Sequence, residues 1–420
     1  MRTLSKQRWR TDNADRSGWK RHPRVLIVAS HADSLVKFRG DLIRTLLARG
    51  VEVHAAAPDC EAHSESAELL IGWGVVLHEL ALQRTGLNPL RDLNSLFELY
   101  RMIQEVQPTH LLVYTVKPVI YGLLAARLAG GAEATALITG LGYAFSGEGA
   151  SWKRRAVQRV LLALYRGALG GARRVVFQNP DDRALFVQLG LVRSERSAVV
   201  DGSGVNLDEY AVAPLPPLHA PLRFLLIARL IRDKGIGEFV AAGRQLRRVH
   251  PGVELHLVGG LDENPESVSH AELQGWMAEG SVVYHGHLRD VRPVIASCHV
   301  FVLPSFYREG IPRTLLEAMA MARPVITCDA PGCRETVVAG ENGYLVPVRD
   351  VAALAAAMLR FVQDPESVRS MGEAARRLVE RRYDVVKVNG QMLVHMGLDG
   401  GATAGQGPEQ RARSASLNDL

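Results

Sequence analysis

The chain has 420 residues, of which 47% are hydrophobic and 22% are charged, and its formal net charge at pH 7 is +6. A chain of this length is too long to fold around one ordinary hydrophobic core, so two domains are predicted. The composition excludes a disordered chain. The longest apolar stretch, residues 113–145, is interrupted by Lys117, Arg127 and Glu133, so no uninterrupted run reaches the roughly 20 residues of a membrane-spanning helix.

The chain begins with a polar and basic stretch, residues 1–22, that we predict to be disordered. The first apolar run, at Val25–Ala29, is too short for the core of a signal peptide. We therefore expect a cytoplasmic location, with peripheral attachment to the cytoplasmic face of the inner membrane if the protein touches lipid. The four cysteines form no Cys-x-x-Cys pair, which favours buried thiols over a disulfide or zinc site.

Short apolar runs alternate with segments of helical periodicity up to residue 178. The predicted strands are 25–29, 51–57, 75–80, 110–114, 135–139 and 175–178. The predicted helices are 41–49, 66–73, 119–130 and 151–167. This alternation is typical of a parallel sheet covered by helices on both faces. We expect the strand at 175–178 to be the last of this half.

A proline-rich stretch, residues 211–222, divides the chain, because neither a helix nor a central strand tolerates its closely spaced prolines. It predicts a stiff linker between domains. Beyond it the predicted strands are 223–228, 254–259, 282–284, 300–304 and 324–327, with a helix from residue 237 and a final helix at 365–382.

These elements predict an α/β protein with two doubly wound, Rossmann-like domains, residues 23–213 and 214–399. The carboxyl ends of both sheets can face an interdomain cleft, where such sheets bind ligands. The segment after the final helix is able to cross back to the first domain. The tail, residues 400–420, is rich in Gly, Ser and Gln and is predicted to be disordered.

Two cations follow the first strand of the second half. Arg229 lies at the carboxyl edge of this strand, and Lys234 lies just before the next helix. Fixed cations at such a place can clamp a diphosphate and neutralise the charge that grows as it leaves. The alternative is a pair of surface cations beside Asp233, and these residues alone do not decide between the two interpretations.

A second polar group follows the predicted strand at 300–304. Pro312 suits the first turn of a helix, whose free amides attract anions, and Gly310 lets the backbone approach a ligand. Glu309 then stands in the loop at the cleft, and Glu317 lies about one and a half turns into the helix. Both carboxylates can accept hydrogen bonds from sugar and ribose hydroxyls. The alternative, a solvent-exposed helix start, fits poorly because apolar residues flank Glu317.

The pattern Arg229…Lys234-Gly235 followed by Glu309-x7-Glu317 resembles the donor site of family 4 retaining glycosyltransferases, which have the GT-B fold. Further similar stretches extend this resemblance over residues 222–350. It implies that Arg229 and Lys234 contact the donor diphosphate and, with Glu309, carry catalysis. Glu309 would meet the sugar and Glu317 the ribose.

The same resemblance implies the rest of the donor site. The backbone near His287 and Leu288 would frame the base, and Gly310, Ile311 and Pro312 would line the site. The resemblance implies uracil as the base, which makes a UDP-sugar the expected donor.

Two stretches of the first half, Tyr114–Gly122 and Thr139–Phe145, resemble bacterial enzymes that extend polyprenyl-diphosphate-linked glycans. The acceptor implied is a lipid-linked saccharide used in surface polysaccharide, lipopolysaccharide or glycoprotein glycan assembly, and the sugar moved is a hexose or an N-acetylhexosamine.

Many family members place a histidine in the loop after the fourth strand, where this chain has Thr115 and Lys117. Those two residues and His31 are the candidate polar groups of the acceptor side, with Gly140 and Gly142 as the candidate glycines. For His31 an ordinary loop histidine is the competing interpretation.

No two aspartates have the Asp-x-Asp spacing with which many other glycosyltransferases hold a divalent metal. We therefore expect neither a metal nor a cofactor, and expect Lys and Arg to stabilise the leaving diphosphate themselves. The resemblance, and not the spacing, implies retention through front-face displacement, in which the donor phosphate helps to deprotonate the acceptor hydroxyl.

The net charge resides entirely in residues 1–215, which hold 27 basic and 21 acidic residues. This asymmetry suggests an anionic partner, and since no nucleic-acid-binding signature accompanies it, nucleic acid is not expected. The predicted helix 151–167 is basic and amphipathic and can lie on an anionic membrane. A helix that packs its apolar face on its own sheet is the competing interpretation.

Two other functions stay open at this point. One is a non-hydrolysing sugar-nucleotide epimerase, which shares the fold and binds a nucleotide sugar but has no acceptor site. The other is a non-catalytic binding or scaffolding protein. Within the transferase class, a soluble enzyme acting on a small-molecule acceptor is a further possibility.

Overall fold

The computed structural model describes residues 22–60, 64–82, 89–141, 152–261 and 267–399. The predictions made for residues 1–21, for Gly142 and for the tail from residue 400 lie outside these ranges. Across the described residues, no helix combines the length and the apolar character needed to cross a membrane.

The first half forms a seven-stranded parallel sheet. Its strands are β1 (Arg24–Val28), β2 (Glu52–Ala57), β3 (Val76–Glu79), β4 (His110–Tyr114), β5 (Glu133–Ile138), β6 (Arg174–Phe177) and β7 (Ser197–Val199). Its helices are α1 (Ala32–Ala48), α2 (Glu65–Trp73), α3 (Pro89–Val106), α4 (Val116–Ala129), α5 (Trp152–Leu169) and α6 (Pro180–Gln188). The strand order is β3-β2-β1-β4-β5-β6-β7. Apolar cores lie on both faces of this sheet.

The second half forms a six-stranded parallel sheet. Its strands are β8 (Arg223–Ile227), β9 (Glu254–Val258), β10 (Val283–Tyr284), β11 (Val300–Leu303), β12 (Val325–Cys328) and β13 (Gly343–Val346). Its helices and those that follow are α7 (Ile236–Arg247), α8 (His270–Ala278), α9 (Arg292–Ala296), α10 (Arg313–Ala320), α11 (Val351–Gln363), α12 (Glu366–Leu378) and α13 (Val385–Met396). The strand order is β10-β9-β8-β11-β12-β13.

The predicted fold class, two doubly wound α/β sheets, is confirmed, and several element predictions are corrected. The expectation that the strand at 175–178 ends the first sheet is wrong, because α6 and the three-residue β7 follow it. Helix α1 begins at Ala32, not residue 41, since the buried Leu35 and Arg39 continue its inner face toward the amino end. Helices α3, α6, α8, α9 and α11 are not predicted from the sequence, and the predicted final helix at 365–382 corresponds to α12, which α13 follows.

The last helix of the chain lies on the first sheet. Met392, Leu393 and Met396 of α13 are buried in the core that α1 and α2 share with that sheet. The chain therefore passes between the two sheets twice. The passages lie side by side, because the amide of Val205 donates to the carbonyl of Tyr383 (2.9 Å) and the amide of Val385 donates to the carbonyl of Val205 (3.0 Å).

The proline-rich stretch contains no helix or strand, and a buried arginine fastens it to the second half. Arg323, 1% exposed, donates to the carbonyls of Ala213 (3.0 Å) and Pro214 (2.9 Å). Its other donors reach four further carbonyls, those of Ile295, Ala296, Cys298 and Met321. Every side of this guanidinium group thus meets a backbone oxygen.

A chain of polar side chains runs across the first sheet from the amino ends of β1 and β2. Arg24 Nε donates to Glu52 Oε2 (2.8 Å), whose Oε1 lies 2.9 Å from His54 Nε2. His54 Nδ1 lies 2.8 Å from His78 Nε2, and the two rings are stacked. Burial lowers the pKa of His54, and lowers that of His78 to about 4. We call these four residues the first ladder.

The second sheet repeats this arrangement on its corresponding strands, and we call it the second ladder. Arg223 Nε donates to Glu254 Oε2 (3.0 Å), which lies 3.3 Å from His256 Nε2. His256 Nδ1 lies 2.9 Å from His285 Nε2, again with stacked rings. Burial lowers the pKa of both histidines. The two halves therefore share a polar detail as well as a fold.

Candidate functional site

The carboxyl edge of the second sheet carries the two predicted cations. Arg229 follows β8 and is exposed, whereas Lys234 is buried at the end of the short 3₁₀ turn Arg232–Lys234. Gly235 then adopts a positive φ of 75°, and a Cβ added there would collide with the carbonyl oxygen of Pro304. Only glycine allows this close approach, which fixes Lys234 against the loop that follows β11.

Lys234 forms an ion pair with Glu309. Its Nζ lies 2.6 Å from Glu309 Oε1, which also accepts a hydrogen bond from the buried hydroxyl of Ser305 (2.9 Å). The ammonium group lies 5.3 Å from the centre of the Tyr307 ring. Because both charged side chains are mostly shielded from water, their geometry is well defined. The pair offers an anion a fixed cation and offers hydroxyl groups a fixed acceptor.

Glu317 lies deeper than its neighbours in the site. It is on α10, and its Oε1 accepts a hydrogen bond from Arg313 Nε (2.9 Å), one turn earlier on the same helix. The Tyr210 side chain also hydrogen-bonds it. Burial raises the pKa of Glu317, against the opposing effect of Arg313. A buried carboxylate with these partners is held in one orientation.

The remaining residues predicted for the donor site lie around the same edge. His287 and Leu288 follow β10, His287 exposed and Leu288 half-buried. The Cβ of His287 would lie 3.8 Å from a Cβ added at Gly260, after β9. Ile311 and Pro312 are buried at the start of α10. The sheet topology therefore gathers residues far apart in sequence.

The loop that bears Glu309, residues 308–312, is held by the first half of the chain. Asn179, fully buried at the start of α6, donates from Nδ2 to the carbonyls of Glu309 (2.9 Å) and Gly310 (3.4 Å). Its Oδ1 caps α6 by accepting from the Asp182 amide (2.8 Å). One asparagine therefore joins the two halves behind the glutamate.

An ion pair reinforces the same junction. Arg308 Nε lies 2.8 Å from Oδ1 of Asp182, whose side chain is 1% exposed. Burial raises the pKa of Asp182, and the hydrogen bond and charge of Arg308 oppose this rise. A buried carboxylate depends strongly on its partner, so this pair fixes the 308–312 loop relative to α6.

Two glycines let the two halves touch. Gly140, with φ of 107°, follows β5, and a Cβ added there would lie 2.6 Å from the amide nitrogen of Gly310. A Cβ added at Gly310 would collide with the side-chain oxygen of Gln178. Side chains at these positions would push the 308–312 loop away from the first sheet.

The other candidates of the acceptor side have different surroundings. His31 occupies the N-cap position of α1 and is half-buried. Thr115 occupies the N-cap position of α4 with φ of 69°, an uncommon conformation for a β-branched residue, and its buried hydroxyl has no hydrogen-bond partner within the described part of the chain. Lys117 is buried, and its Nζ lies 2.7 Å from Asp92 Oδ1 on α3. Its charge thus has a partner within the first half.

The structure brings Lys234, Glu309, Gly310 and Gly140 together in one contact region. Asn179 and Asp182 on the first half and Arg313, the partner of Glu317, are not predicted from the sequence. A signal for the first two was present: residues 178–182 form a dense polar run with a proline, directly after a predicted strand. That pattern is typical of a capped helix start at the edge of a sheet.

Two family models match consecutive parts of the chain. "Glycosyl transferase 4-like domain" matches residues 36–201, and "Glycosyl transferases group 1" matches residues 221–364. The second range contains the predicted donor residues from Arg229 to Glu317.

Similar proteins agree with these matches. The chain is 28% identical, over 80% of its length and 88% of the relative's, to N,N'-diacetylbacillosaminyl-diphospho-undecaprenol alpha-1,3-N-acetylgalactosaminyltransferase of Campylobacter jejuni. It is 30% identical to the amylovoran biosynthesis glycosyltransferase AmsK of Erwinia amylovora, over 43% of the chain and 46% of the relative.

Solved structures share the fold. Sucrose-phosphate synthase from Thermosynechococcus elongatus superposes with a TM-score of 0.73 at 21% identity, covering 88% of this chain and 97% of its own. HepE from Anabaena, solved in complex with UDP-glucose, gives 0.71 at 20% identity, covering 90% and 100%.

Proposed function

We propose, from the premise that this chain is a family 4 glycosyltransferase with the GT-B fold, a retaining transfer onto a lipid-linked acceptor. The donor is a nucleotide diphosphate sugar, with UDP as the nucleotide. The group moved is a hexose or an N-acetylhexosamine. The acceptor is a polyprenyl-diphosphate-linked saccharide of surface polysaccharide or glycan assembly.

The observation that carries this proposal is the Lys234–Glu309 ion pair at the carboxyl edge of the second sheet, 2.6 Å apart and largely shielded from water. Low solvent exposure strengthens the attraction between a fixed ammonium group and an incoming diphosphate. Glu309 is then placed to accept hydrogen bonds from the sugar, and Glu317, oriented by Arg313, from the ribose.

Departure of the nucleotide diphosphate leaves negative charge on its terminal phosphate. Lys234 and the exposed Arg229 stabilise that charge in the proposed reaction, so the residues supply the electrostatic role that a divalent metal fills elsewhere. The glycosidic bond to the phosphate oxygen breaks while the acceptor oxygen attacks the same face of the sugar. The departing phosphate takes the acceptor proton, which balances the charges without a carboxylate nucleophile.

The acceptor assignment rests on similarity at the level of the whole chain. The Campylobacter relative, aligned over 88% of its length, carries an undecaprenol diphosphate-linked saccharide in its name. The AmsK relative is named for amylovoran biosynthesis. Gly140, Thr115 and His31 lie at the carboxyl edge of the first sheet, which is the side of the cleft proposed for the acceptor.

Peripheral attachment to an anionic membrane is part of the proposal. Exposed positions of α5 include Arg155, Arg159 and Arg166 together with Val157 and Val160. An amphipathic helix with this combination binds anionic lipid.

Helix α3 adds apolar side chains to the same side of the sheet, since α3 and α5 both pack on α4. Leu90, Leu93 and Phe97 are 81%, 62% and 56% exposed. Sedimentation with phosphatidylglycerol vesicles at low salt tests this proposal, and recovery of the protein in the supernatant would remove it. Attachment at the cytoplasmic face remains a prediction.

Incubation of the purified protein with UDP-, GDP- and ADP-sugars, in EDTA, tests the transfer directly. Polyprenyl-diphosphate sugars serve as acceptors, and release of the nucleotide diphosphate is the measurement. We expect release that requires one donor and the lipid-linked acceptor. Release without an acceptor would instead indicate hydrolysis or epimerase-like chemistry, and a requirement for added divalent metal would contradict the proposed role of Lys234 and Arg229.

A further inference from the structure

Helix α1 carries a buried arginine that has few partners. Arg39 is 4% exposed, and its Nη1 donates to the carbonyl of Phe38 (3.0 Å) and to Ser203 Oγ (3.3 Å). Its guanidinium carbon lies 4.9 Å from the centre of the Tyr114 ring. Among the described residues no carboxylate pairs with Arg39, and its buried Nε has no hydrogen-bond partner.

The second half shows how this protein buries an arginine for structural purposes. Arg323, equally hidden, donates to six backbone carbonyls. Arg39 reaches one carbonyl and one hydroxyl and leaves its buried Nε without a hydrogen-bond partner among the described residues. Since buried polar groups in folded proteins are normally satisfied, the difference requires an explanation.

A buried charge without a counter-charge destabilises a folded protein. Burial lowers the pKa of Arg39 to about 10, the Tyr114 side chain opposes this shift, and the charge of Arg313 across the cleft adds to it. Among the described residues, no carboxylate compensates this charge. Energetically unfavourable groups of this kind concentrate at binding sites, where a ligand completes the interactions.

The surroundings of Arg39 belong to the interdomain cleft. Ser203, which accepts from Arg39, also accepts from Gln178 Nε2 (3.2 Å). Gln178 in turn lies against Gly310 of the 308–312 loop. Beside Ser203, a Cβ added at Gly202 would lie 2.8 Å from Ile311 Cβ. Two side-chain hydrogen bonds, followed by the contact of Gln178 with Gly310, thus connect Arg39 to the loop that bears Glu309.

We propose that Arg39 is an anion-binding residue of the cleft and that it binds a phosphate group of a substrate. The proposal rests on the proposed function, which brings two diphosphates into this cleft, one in the donor and one in the acceptor. A guanidinium group with unused donors matches phosphate oxygens in geometry and charge. Arg39 lies on the first half of the chain, so its charge adds to those of Arg229 and Lys234 on the second half.

The first test compares stability and transfer in Arg39→Met, which keeps an unbranched side chain and removes the charge. We expect its melting temperature to equal or exceed that of the wild type, because an uncompensated buried charge is removed. We expect its transfer rate to fall at least tenfold. A lower melting temperature together with unchanged transfer would overturn the proposal, since it would assign Arg39 a structural role alone.

The second test measures anion binding without any transfer, by calorimetry with two probes. One probe is UDP, and the other is inorganic pyrophosphate added to protein already saturated with UDP, so that the site of Arg229 and Lys234 is occupied. A tenfold weaker affinity of Arg39→Met for UDP assigns the donor phosphate. A tenfold loss confined to pyrophosphate assigns the acceptor phosphate. Unchanged affinity for both probes would overturn the proposal.

Two further variants keep these outcomes separate. Arg39→Lys retains the charge without the planar fork and is expected to fold and to keep part of the affinity. Arg44→Met is the matched control on the same helix, because Arg44 is exposed and pairs with Asp41. We expect it to bind both probes like the wild type. Failure of the wild type to bind UDP would count against the proposed donor and not against Arg39.

Discussion

The two sheets differ at their carboxyl edges although they resemble each other elsewhere. Each carries a ladder of Arg, Glu and two His across corresponding strands. At the edge of the second sheet, Lys234 pairs with Glu309 and Arg313 pairs with Glu317. At the edge of the first sheet, Arg39 and Thr115 have buried polar atoms with no hydrogen-bond partner among the residues that the structure describes.

This difference indicates that the two sides of the cleft differ in how well their polar groups are ordered before a ligand binds. Paired charges hold the second edge in a defined geometry before a ligand arrives, which is the condition for strong electrostatic stabilisation. The first edge is complete only when a ligand supplies the missing hydrogen bonds. Substitution of a charged residue at the second edge should therefore mainly lower the catalytic rate. Substitution of one at the first edge should mainly lower the affinity for the ligand.

The largest effect is expected at the Lys234–Glu309 pair. Lys234→Ala and Glu309→Ala should each lower the transfer rate by about 10²- to 10³-fold or more, because each removes a fixed group that stabilises developing charge or orients the sugar. Initial rates of nucleotide diphosphate release, with circular dichroism to verify folding, provide the measurement.

Arg232→Ala is the control for that comparison. Arg232 lies in the same turn, but its side chain is exposed and pairs with Glu272. Its rate should match the wild type. A folded Lys234→Ala protein with full activity would refute the role proposed for that lysine.

The next effect concerns the buried ion pair between the halves. Asp182→Ala removes the buried carboxylate that Arg308 contacts at the junction and should lower the free energy of unfolding by about 3 kcal/mol. Asp181→Ala, which removes a more exposed partner of Arg334, should cost less than about 1 kcal/mol. Urea unfolding of both variants measures the difference, and equal midpoints would show that the Asp182 pair does not support the junction.

A smaller effect separates the two glycines of the contact. Gly140→Ala meets the backbone of Gly310, which cannot move aside, whereas Gly310→Ala meets the end of the flexible Gln178 side chain. We expect Gly140→Ala to reduce transfer about tenfold or more. We expect Gly310→Ala to reduce it less and to recover in the double variant with Gln178→Ala. A double variant as slow as Gly310→Ala would show that Gln178 is not the obstacle.

The smallest effect is a dependence of stability on pH that compares the ladders. Burial depresses the pKa of His78 to about 4 in the folded state, against about 6.5 in an unfolded chain. The unfolded state therefore binds more protons below pH 6.5, and stability falls as the pH falls from 6.5 towards 4. His78→Gln should flatten this slope in melting temperature more than His285→Gln does. Identical slopes in all three proteins would contradict this expectation.

The sequence was sufficient for most of the fold. Parallel strands buried on both faces are almost continuous apolar runs, so the predicted strand 110–114 coincides with β4. Strand β7 is only three residues long and partly buried, and such a segment has no periodicity that distinguishes it from a loop.

The candidate site was predictable only in part, and through motif spacing instead of hydrophobic periodicity. Lys234 and Glu309 were identified through spacing that resembles a known family. Asp182 and its partner Arg308 are 126 residues apart, and nothing local in the sequence joins them. Arg39 is unusual because its buried Nε has no hydrogen-bond partner among the described residues. Only the three-dimensional packing reveals this.

The paired passages at Val205 and Val385 have a mechanical consequence. Two separate segments cross between the halves at one place and are hydrogen-bonded to each other. Gly204 keeps them in contact, since a Cβ there would lie 2.6 Å from Val385 Cα. An opening of the cleft would therefore turn about this line, and it would have to break the contacts of the 308–312 loop with Asn179 and Asp182. The far rim, where Arg289 meets Glu65, would travel furthest.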